Sequence, residues 1–512
     1  MTEEQAPDEG NLTSRVLGGV TWSVGLRVLG LVAQLGYTSV IARLLDPEAI
    51  GLVASAQVVL LAGQLAAELG IGRALVQKTT LSQEEVRAGF TASVVMGATL
   101  TAILFLAAPA VAALFGDPGV APVTRGLSFV LLATTLGTTA EALLLRDMRI
   151  RAVATREFTS FVVGYLVIGV GSALAGFGVW SLVAAAVSKA VLLSASALLI
   201  ARHDMRPLLA WAPVRSLYAF GSQVSLVSVV EYLTQAAPPT AISRFQGPAQ
   251  LGQFNQANRV LELPFTNISQ AIADVLFPAI SRIKSERDRV GGAYLTALAV
   301  TGSILLPTAA GAGVAAEEIV AVLLGDQWGP AARVLPVLAV YSAVMMLTYY
   351  AAIICEAMGV LKQKIVIQVL TLIILGVGFV VFSDASLLAL SVVMLVAAVG
   401  RLLAYWVVMH RQLRIGALAQ PAALAGPVLG AVLVAGAIGG WTVVGRGMDL
   451  PVLLTLLGQI VVGATVLGAA YFFGPLRGVR RELVVRLEFA GLDERSGTAR
   501  RLMAVMRSGL GG

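Results

Sequence analysis

One cysteine, Cys355, and two histidines, His203 and His410, are the whole supply of thiol and imidazole in this chain. A lone cysteine excludes an internal disulfide and a cysteine-ligated metal centre. Both histidines are expected in short basic loops, which leaves a zinc site or a histidine-based catalytic triad almost no raw material. Charge is scarce too: 13% of residues are Asp, Glu, Lys or Arg, where a soluble domain carries about 25%. No Walker-type phosphate loop occurs. Gly169-Val170-Gly171 and Gly376-Val377-Gly378 lie inside apolar runs, where glycine serves close helix packing, so nucleotide binding is not expected. No soluble basic face with interleaved aromatics is present, so nucleic acid is not an expected partner. Residues 1–14 are polar and acidic, without the basic start of a secretory signal, and cleavage is not expected.

What fills the chain instead is apolar residue, 57% of it, with 53 glycines. Continuous apolar runs of about 18 residues or more recur from end to end, each long enough to cross a bilayer as a helix. The runs do not alternate, so helices rather than a barrel are expected. About fourteen spans are predicted, near 18–43, 50–72, 88–114, 123–145, 158–176, 178–200, 217–243, 250–278, 292–315, 332–356, 363–382, 386–409, 421–443 and 451–473. Loop charge tests that reading. One side of the membrane receives only Arg43, Arg125, Arg244, Arg333 and Arg446. Arg27, Lys189, Arg259 and Arg401 fall within spans, and every other Lys and Arg lies on the side of the N-terminus. By the positive-inside rule both termini are then cytoplasmic.

Ile41-Ala42-Arg43-Leu44-Leu45-Asp46-Pro47-Glu48-Ala49-Ile50-Gly51 occurs a second time in outline. Ile242-Ser243-Arg244-Phe245-Gln246-Gly247-Pro248-Ala249-Gln250-Leu251-Gly252 repeats its isoleucine, arginine, proline and glycine in register. Each copy is a helix-turn-helix corner between two apolar runs. With an even number of spans between them the copies share one orientation, the parallel-repeat case in which a transporter holds its site between two halves. The expected fold is an all-α polytopic membrane protein: a six-helix lobe at 1–215, a second at 216–415, two further helices within 416–474, and a basic cytoplasmic tail at 475–512. In that tail Leu502, Val505, Met506 and Leu510 share a helical face away from Arg500, Arg501 and Arg507. That pattern fits either an interfacial helix on anionic lipid or a solvated tail.

The corner and several further stretches resemble the polysaccharide transport family of the multidrug/oligosaccharidyl-lipid/polysaccharide (MOP) exporter superfamily. Within it, the chain is similar to the Wzx-type lipid-linked oligosaccharide flippases. The stretches are Ala42 to Gly51, Glu68 to Gln77, Leu143 to Ile150, Gly176 to Val183, Asn267 to Gln270 and Leu276 to Ser281. The resemblance implies a MATE-like two-lobed bundle with a central cavity open to one side at a time. It implies an inner-membrane protein that moves an undecaprenyl-diphosphate-linked repeat unit from the cytoplasmic to the periplasmic leaflet for exopolysaccharide or lipopolysaccharide assembly. Catalytic residues, a metal and a cofactor are not expected. Coupling to a proton or sodium gradient, and partnership with the polymerase and export machinery of the same pathway, are left open.

Polar residues inside the spans supply the candidate site, since a charge at mid-helix costs on the order of 2.5–3.5 kcal/mol facing lipid. Ser23, Arg27, Gln34 and Thr38 share a face of the first span. Asn255, Arg259, Glu262, Thr266, Gln270 and Asp274 form a stripe along the eighth. Gln235 in span seven matches Gln34 at the offset that carries Pro47 onto Pro248. Arg27 and Arg259 are the candidates for gripping a diphosphate, with Gln34, Gln235, Asn255 and Glu262 lining the cavity. Alternatively Arg259 pairs with Glu262. Glu231 is the candidate coupling-ion or proton site, or the salt-bridge partner of Arg27 or Arg259. Pro238-Pro239 reads as a gate hinge or a static kink. Arg73 is placed to meet a phosphate early or to anchor at the interface. Glu141 is expected to meet Arg146 or Arg149, while Lys189 and Arg401 either pair within the bundle or edge the cavity.

Three competing readings remain. A drug or cation antiporter of the same superfamily would favour an apolar or acidic cavity. A flippase for the peptidoglycan lipid precursor would differ in headgroup fit. A membrane glycan polymerase or ligase would need a larger outward loop than residues 316–331.

Overall fold

Helices account for the regular structure, and no strand occurs among the described residues. The computed structural model describes residues 9–67, 71–78, 80–208, 226–283, 286–476 and 478. For 9–21, 23–24, 73, 77, 226, 263–264, 267–279 and 281–283 it describes the backbone alone. In chain order the helices are α1 (Glu9–Leu44), α2 (Pro47–Ala67), α3 (Ile71–Gln77), α4 (Gln83–Phe115), α5 (Val120–Arg146) and α6 (Ile150–Leu174). They continue with α7 (Val179–Ala201), α8 (Leu226–Ile283), α9 (Arg287–Val314), α10 (Ala316–Leu323), α11 (Gly329–Ala357), α12 (Leu361–Val381), α13 (Leu387–Leu413), α14 (Ala419–Gly447) and α15 (Val452–Phe472).

Among the described residues, 12 helices are long and apolar enough to cross a membrane, which makes this a multi-pass membrane protein. They coincide with every predicted span but the seventh and eighth. Those two fall on α8, whose helical geometry is interrupted at Gly247. Termini follow local chemistry. Ser82 and Glu85 form a reciprocal capping box at the start of α4, and Gly116 ends it in the left-handed region at φ 79°. Ser386 caps α13. His410, expected in a loop, sits in the last turn of α13, where its Nδ1 lies 2.6 Å from the Ile415 carbonyl.

The chain packs as two compact units, Met1–Asn255 and Gln256–Gly512. In the first, α4, α5 and α7 approach closely because small residues face one another. A Cβ on Gly97 would stand 1.7 Å from Thr135 Oγ1, and one on Gly137 2.5 Å from Ser194 Oγ. Polar bonds at these crossings fix the register: Ser194 donates to the Ala133 carbonyl at 2.5 Å and Thr101 to that of Ser128 at 3.1 Å. α1 is held by Tyr37, which meets Phe161 and Tyr165 edge-on at 6.3 and 4.9 Å, where α6 loosens into a π-helical stretch at Val162–Gly169.

In the second unit, buried Tyr294, Tyr350 and Tyr405 lie in one apolar cluster with Leu298, Ile354 and Met409. Tyr294 donates to Gln420 Oε1 at 2.9 Å, tying α9 to α14, and Thr301 bonds the Tyr350 hydroxyl at 3.0 Å, tying α9 to α11. In the last turn of α14, Arg446 clamps Glu318 at 2.7 Å and Glu317 at 2.6 Å, joining α14 to α10.

Candidate functional site

The two copies of the corner fold by different local means. Pro47 takes the first position of α2, where its missing N–H costs nothing, and Asp46 Oδ1 accepts the Ala49 N–H at 2.8 Å. The second copy has Gly247 in place of Asp46. The backbone there turns at φ 84°, ψ 169°, a conformation glycine adopts without strain.

Both corners lie in the first unit, and they interlock. A Cβ on Gly51 would stand 1.7 Å from the Pro248 carbonyl oxygen, and one on Gly252 1.9 Å from that of Pro47. Each repeat's glycine therefore receives the other repeat's proline backbone. Beside this contact the buried hydroxyls of Ser55 and Ser243 are 2.9 Å apart. Tyr232 donates to the Val58 carbonyl at 2.7 Å. Arg244 lies against Gly116, at the negative end of the α4 dipole.

From the corner, α1 carries a polar face away from its outer surface. Val28, Leu29 and Val32 are exposed, at 58%, 50% and 62%, and form one apolar stripe. Arg27 and Gln34, two turns apart, lie instead on the face that buries Tyr37, Thr38 and Ile41. Arg27 is nonetheless exposed, and no hydrogen bond or ion pair of its side chain is present among the described residues. The guanidinium thus stands off the exposed apolar stripe of the helix. Gln34 is half-buried, and its carbonyl accepts from Thr38 at 2.8 Å. Ser23 lies outside the described side chains.

The first arm of α8, 226–246, shows the same division. Val229 and Leu233 are exposed on one side. Half-buried Glu231 and exposed Gln235 lie on the flank toward Tyr232, not with those apolar residues. Pro238 is buried and Pro239 half-buried inside this arm. The non-helical dihedrals of α8 fall at Gly247.

On the second arm, half-buried Asn255 and Arg259, exposed Glu262 and half-buried Thr266 occupy one stripe, opposite buried Ala257 and Leu261. Glu262 accepts from Asn258 Nδ2 at 3.2 Å. No ion pair between Arg259 and Glu262 is present among the described residues; Arg259 acts on that carboxylate through space. Gln270, Asp274, Arg73, Glu68 to Gly70, Asn267 to Gln270, Leu276 to Ala279, Ser281, the link at 209–216 and the tail from 479 lie outside the described residues or side chains.

Two outcomes differ from expectation or extend it. Glu141 pairs with Arg156 at 2.7 Å, not with Arg146 or Arg149. Arg146 is taken by the Leu75 and Lys78 carbonyls, and Arg149 donates to that of Ile200 at 3.2 Å. These carbonyls end helices and compete for guanidinium donors that sequence spacing offers to the carboxylate. Arg401, near the middle of α13, is 6% exposed and lies 5.7 Å from the centre of the Tyr405 ring one turn on. Tyr341 of α11, which sequence reasoning missed, has its hydroxyl within electrostatic reach of both Arg401 and Glu262.

No group of three or more His, Cys, Asp or Glu side chains able to hold a metal occurs among the described residues. The polar faces of α1 and of the two arms of α8 present guanidinium, amide and carboxylate groups.

The class these features define is a helical, multi-pass membrane protein built on two like corners. The chain belongs to the polysaccharide biosynthesis protein family, whose pattern matches residues 40–333. It is 30% identical over 330 residues to the succinoglycan biosynthesis transport protein ExoT of Rhizobium meliloti (strain 1021), a match covering 64% of this chain and 67% of that protein. Over 336 residues it is 23% identical to the lipopolysaccharide biosynthesis protein WzxC of Escherichia coli (strain K12), again covering 64% and 67%. Among solved structures it is similar to the lipid II flippase MurJ in an inward closed conformation. The TM-score is 0.67 at 11% identity, over 89% of this chain and 99% of that one. At that identity the likeness is one of fold.

Proposed function

We propose that this protein is a flippase that moves undecaprenyl-diphosphate-linked oligosaccharide repeat units from the cytoplasmic to the periplasmic leaflet of the bacterial inner membrane. The observation that carries this reading is Arg27, exposed on the packing face of α1 and set apart from the exposed apolar stripe. A guanidinium with free donors, held at membrane depth, suits a diphosphate group and is costly without one. The names of the relatives, a succinoglycan transport protein and a lipopolysaccharide biosynthesis protein, support the substrate class.

In this reading α8 supplies spans seven and eight, bringing the total to about fourteen. The parallel six-helix lobes at 1–215 and 216–415 rock about the headgroup while the lipid tail stays in the bilayer. The helices within 416–474 lie outside the repeat, and both termini face the cytoplasm. Gln34, Gln235, Asn255, Arg259 and Glu262 complete the polar lining. Glu231 takes a proton or sodium ion, and Pro238 and Pro239 lend the gate its bend. The protein moves its substrate without catalysing a reaction on it, and hands it to the polymerase and export machinery.

Deletion of the gene tests the reading. Lipid-linked repeat units should accumulate intact on the cytoplasmic leaflet, protected from a periplasmic glycan-modifying reagent. Normal exposure of unpolymerised units on the outer leaflet would refute it and favour a polymerase.

A further inference from the structure

A groove between α1, α6 and α7 in the first unit plays no part in the reading above. Its cavity volume is about 570 Å³, and Trp22, Arg151, Thr155, Arg156, Thr159 and Ser196 line it. No carboxylate is among its lining residues. We propose that this groove holds the phosphate of a membrane lipid.

The donors are arranged for an anion. Arg151 and Thr155 stand one turn apart on the exposed face of α6; Thr159 lies a further turn on, its own hydroxyl given to the Thr155 and Arg156 carbonyls. The Trp22 indole N–H donates to Thr155 Oγ1 at 3.1 Å, which ties α1 to α6. The Thr155 hydroxyl proton is spent in no bond among the described residues and is available to an acceptor in the groove.

Arg156 lies beneath, its side chain 3% exposed, with one guanidinium nitrogen on Glu141 at 2.7 Å and another on the Leu193 carbonyl at 2.9 Å. Its charge is met from behind, and its buried Nε has no partner among the described residues. Arg151 is the uncompensated cation: it is exposed and makes no hydrogen bond or ion pair among the described residues.

The surroundings suit a lipid rather than a soluble anion. Arg151 is the second residue of α6, directly after the corner that carries Arg146 and Arg149, where the basic residues of the N-terminal side cluster. Trp22 is 51% exposed and Leu199, on the adjoining helix, 73%. An indole beside arginines at the end of a span, with exposed leucine next to it, is the composition of a membrane–water boundary. The phosphate would accept from Arg151 and Thr155 while the acyl chains follow the apolar helix surfaces. Such a phosphate comes from a resident anionic phospholipid or from the diphosphate of a lipid-linked substrate.

Native mass spectrometry of the purified full chain separates these sources, with phosphatidylglycerol, undecaprenyl diphosphate and the phosphate-free lipid dioleoylglycerol as probes. Arg151→Gln should lower retention of a phosphate-bearing lipid about tenfold, the worth of one charge-assisted contact. Thr155→Val should lower it a few-fold, and neither should alter dioleoylglycerol. Loss confined to undecaprenyl diphosphate supports the site as a station for the transported lipid. Loss with phosphatidylglycerol supports it as a site for a resident lipid. Arg151 is exposed and makes no bond among the described residues, so an unchanged melting profile should accompany the loss in Arg151→Gln. Equal retention by the original chain and both variants, or dioleoylglycerol held as firmly as the phosphate lipids, would overturn the proposal. The groove stands apart from the transport reading: a chain that retains lipid phosphate but moves no lipid would keep this site and lose that function.

Discussion

Gly51 rests directly on the backbone carbonyl of Pro248, and Gly252 rests on that of Pro47 in return. The contact is reciprocal because the two corners are copies, so whatever lets one accept a neighbour's backbone serves the other. A contact this tight leaves no room for a side chain between the corners, and a Cβ-sized gap would forfeit their packing. Gly51→Ala places a methyl 1.7 Å from an oxygen, and the overpacking should cost about 1–3 kcal/mol, read as a lowered melting temperature in detergent.

Ser55 and Ser243, with hydroxyls 2.9 Å apart beside that contact, allow its opening to be tested. Replacing both with cysteine should give a disulfide under mild oxidation, and Cys355 is buried elsewhere. If the corners separate during each cycle, polysaccharide export should fall to background when the pair is oxidised and return on reduction. Undiminished export by a fully cross-linked protein would show that the corners stay together throughout.

Arg27→Ala should reduce export at least tenfold with membrane levels unchanged, because one charge-assisted contact to phosphate is worth about 1.5–3 kcal/mol. Arg27→Lys should recover only part of it, since an ammonium lacks the paired donors of guanidinium. Arg259→Ala should behave alike. Full export by the Arg27→Ala, Arg259→Ala double variant, measured as surface polysaccharide per cell, would remove both from the site.

Glu141 and Arg156 form a pair of unequal burial, 43% against 3% exposed at the side chain. Glu141→Ala should therefore destabilise through the buried arginine it leaves behind. The cost should be about 1–3 kcal/mol, less than for a fully buried pair because water reaches the carboxylate side. A second change, Arg156→Met, should return part of that loss. Chemical denaturation of the two variants measures it, and a double variant less stable than Glu141→Ala would contradict the argument.

Much of this was legible in the sequence because apolar length and repeat register are one-dimensional properties. Twelve spans could be read from runs that must hide their backbone from lipid, and the corners from matched proline and glycine. The face shared by Arg27, Gln34 and Thr38 followed from helical spacing alone. Partner choice was not legible. Glu141 had four arginines within the next fifteen residues, and helix-end carbonyls claimed two of them, a competition decided by how α3, α5 and α7 pack. Similarly, Asp46 and Gly247 occupy one register position, yet the first caps by side chain and the second turns by its dihedral angles. Arg401 was visible as a charge within a span, but its perch on Tyr405 depends on the depth at which α13 buries that face.

Acid should destabilise the protein in two stages, through two groups outside the spans. Burial lowers the His203 imidazole below its ordinary value, offset in part by Asp204. The unfolded chain then binds its proton first, so this contribution is complete above about pH 6.5 and is lost as pH falls through the lowered folded value. For Glu318, burial pushes the carboxyl up, but the hydrogen bonds from Arg446 prevail and hold it below the usual carboxylate range. Its contribution is complete above about pH 4.5 and disappears further into acid. A plot of melting temperature against pH should show both declines. His203→Phe should remove the upper one alone, because a phenyl ring keeps the edge-on contact with Phe90, 5.3 Å away, and brings no proton site. Glu318→Gln should remove the lower one and cost about 1–3 kcal/mol at neutral pH, with Arg446 still held by Glu317. An upper decline that persists in His203→Phe would assign it to another group and refute this account.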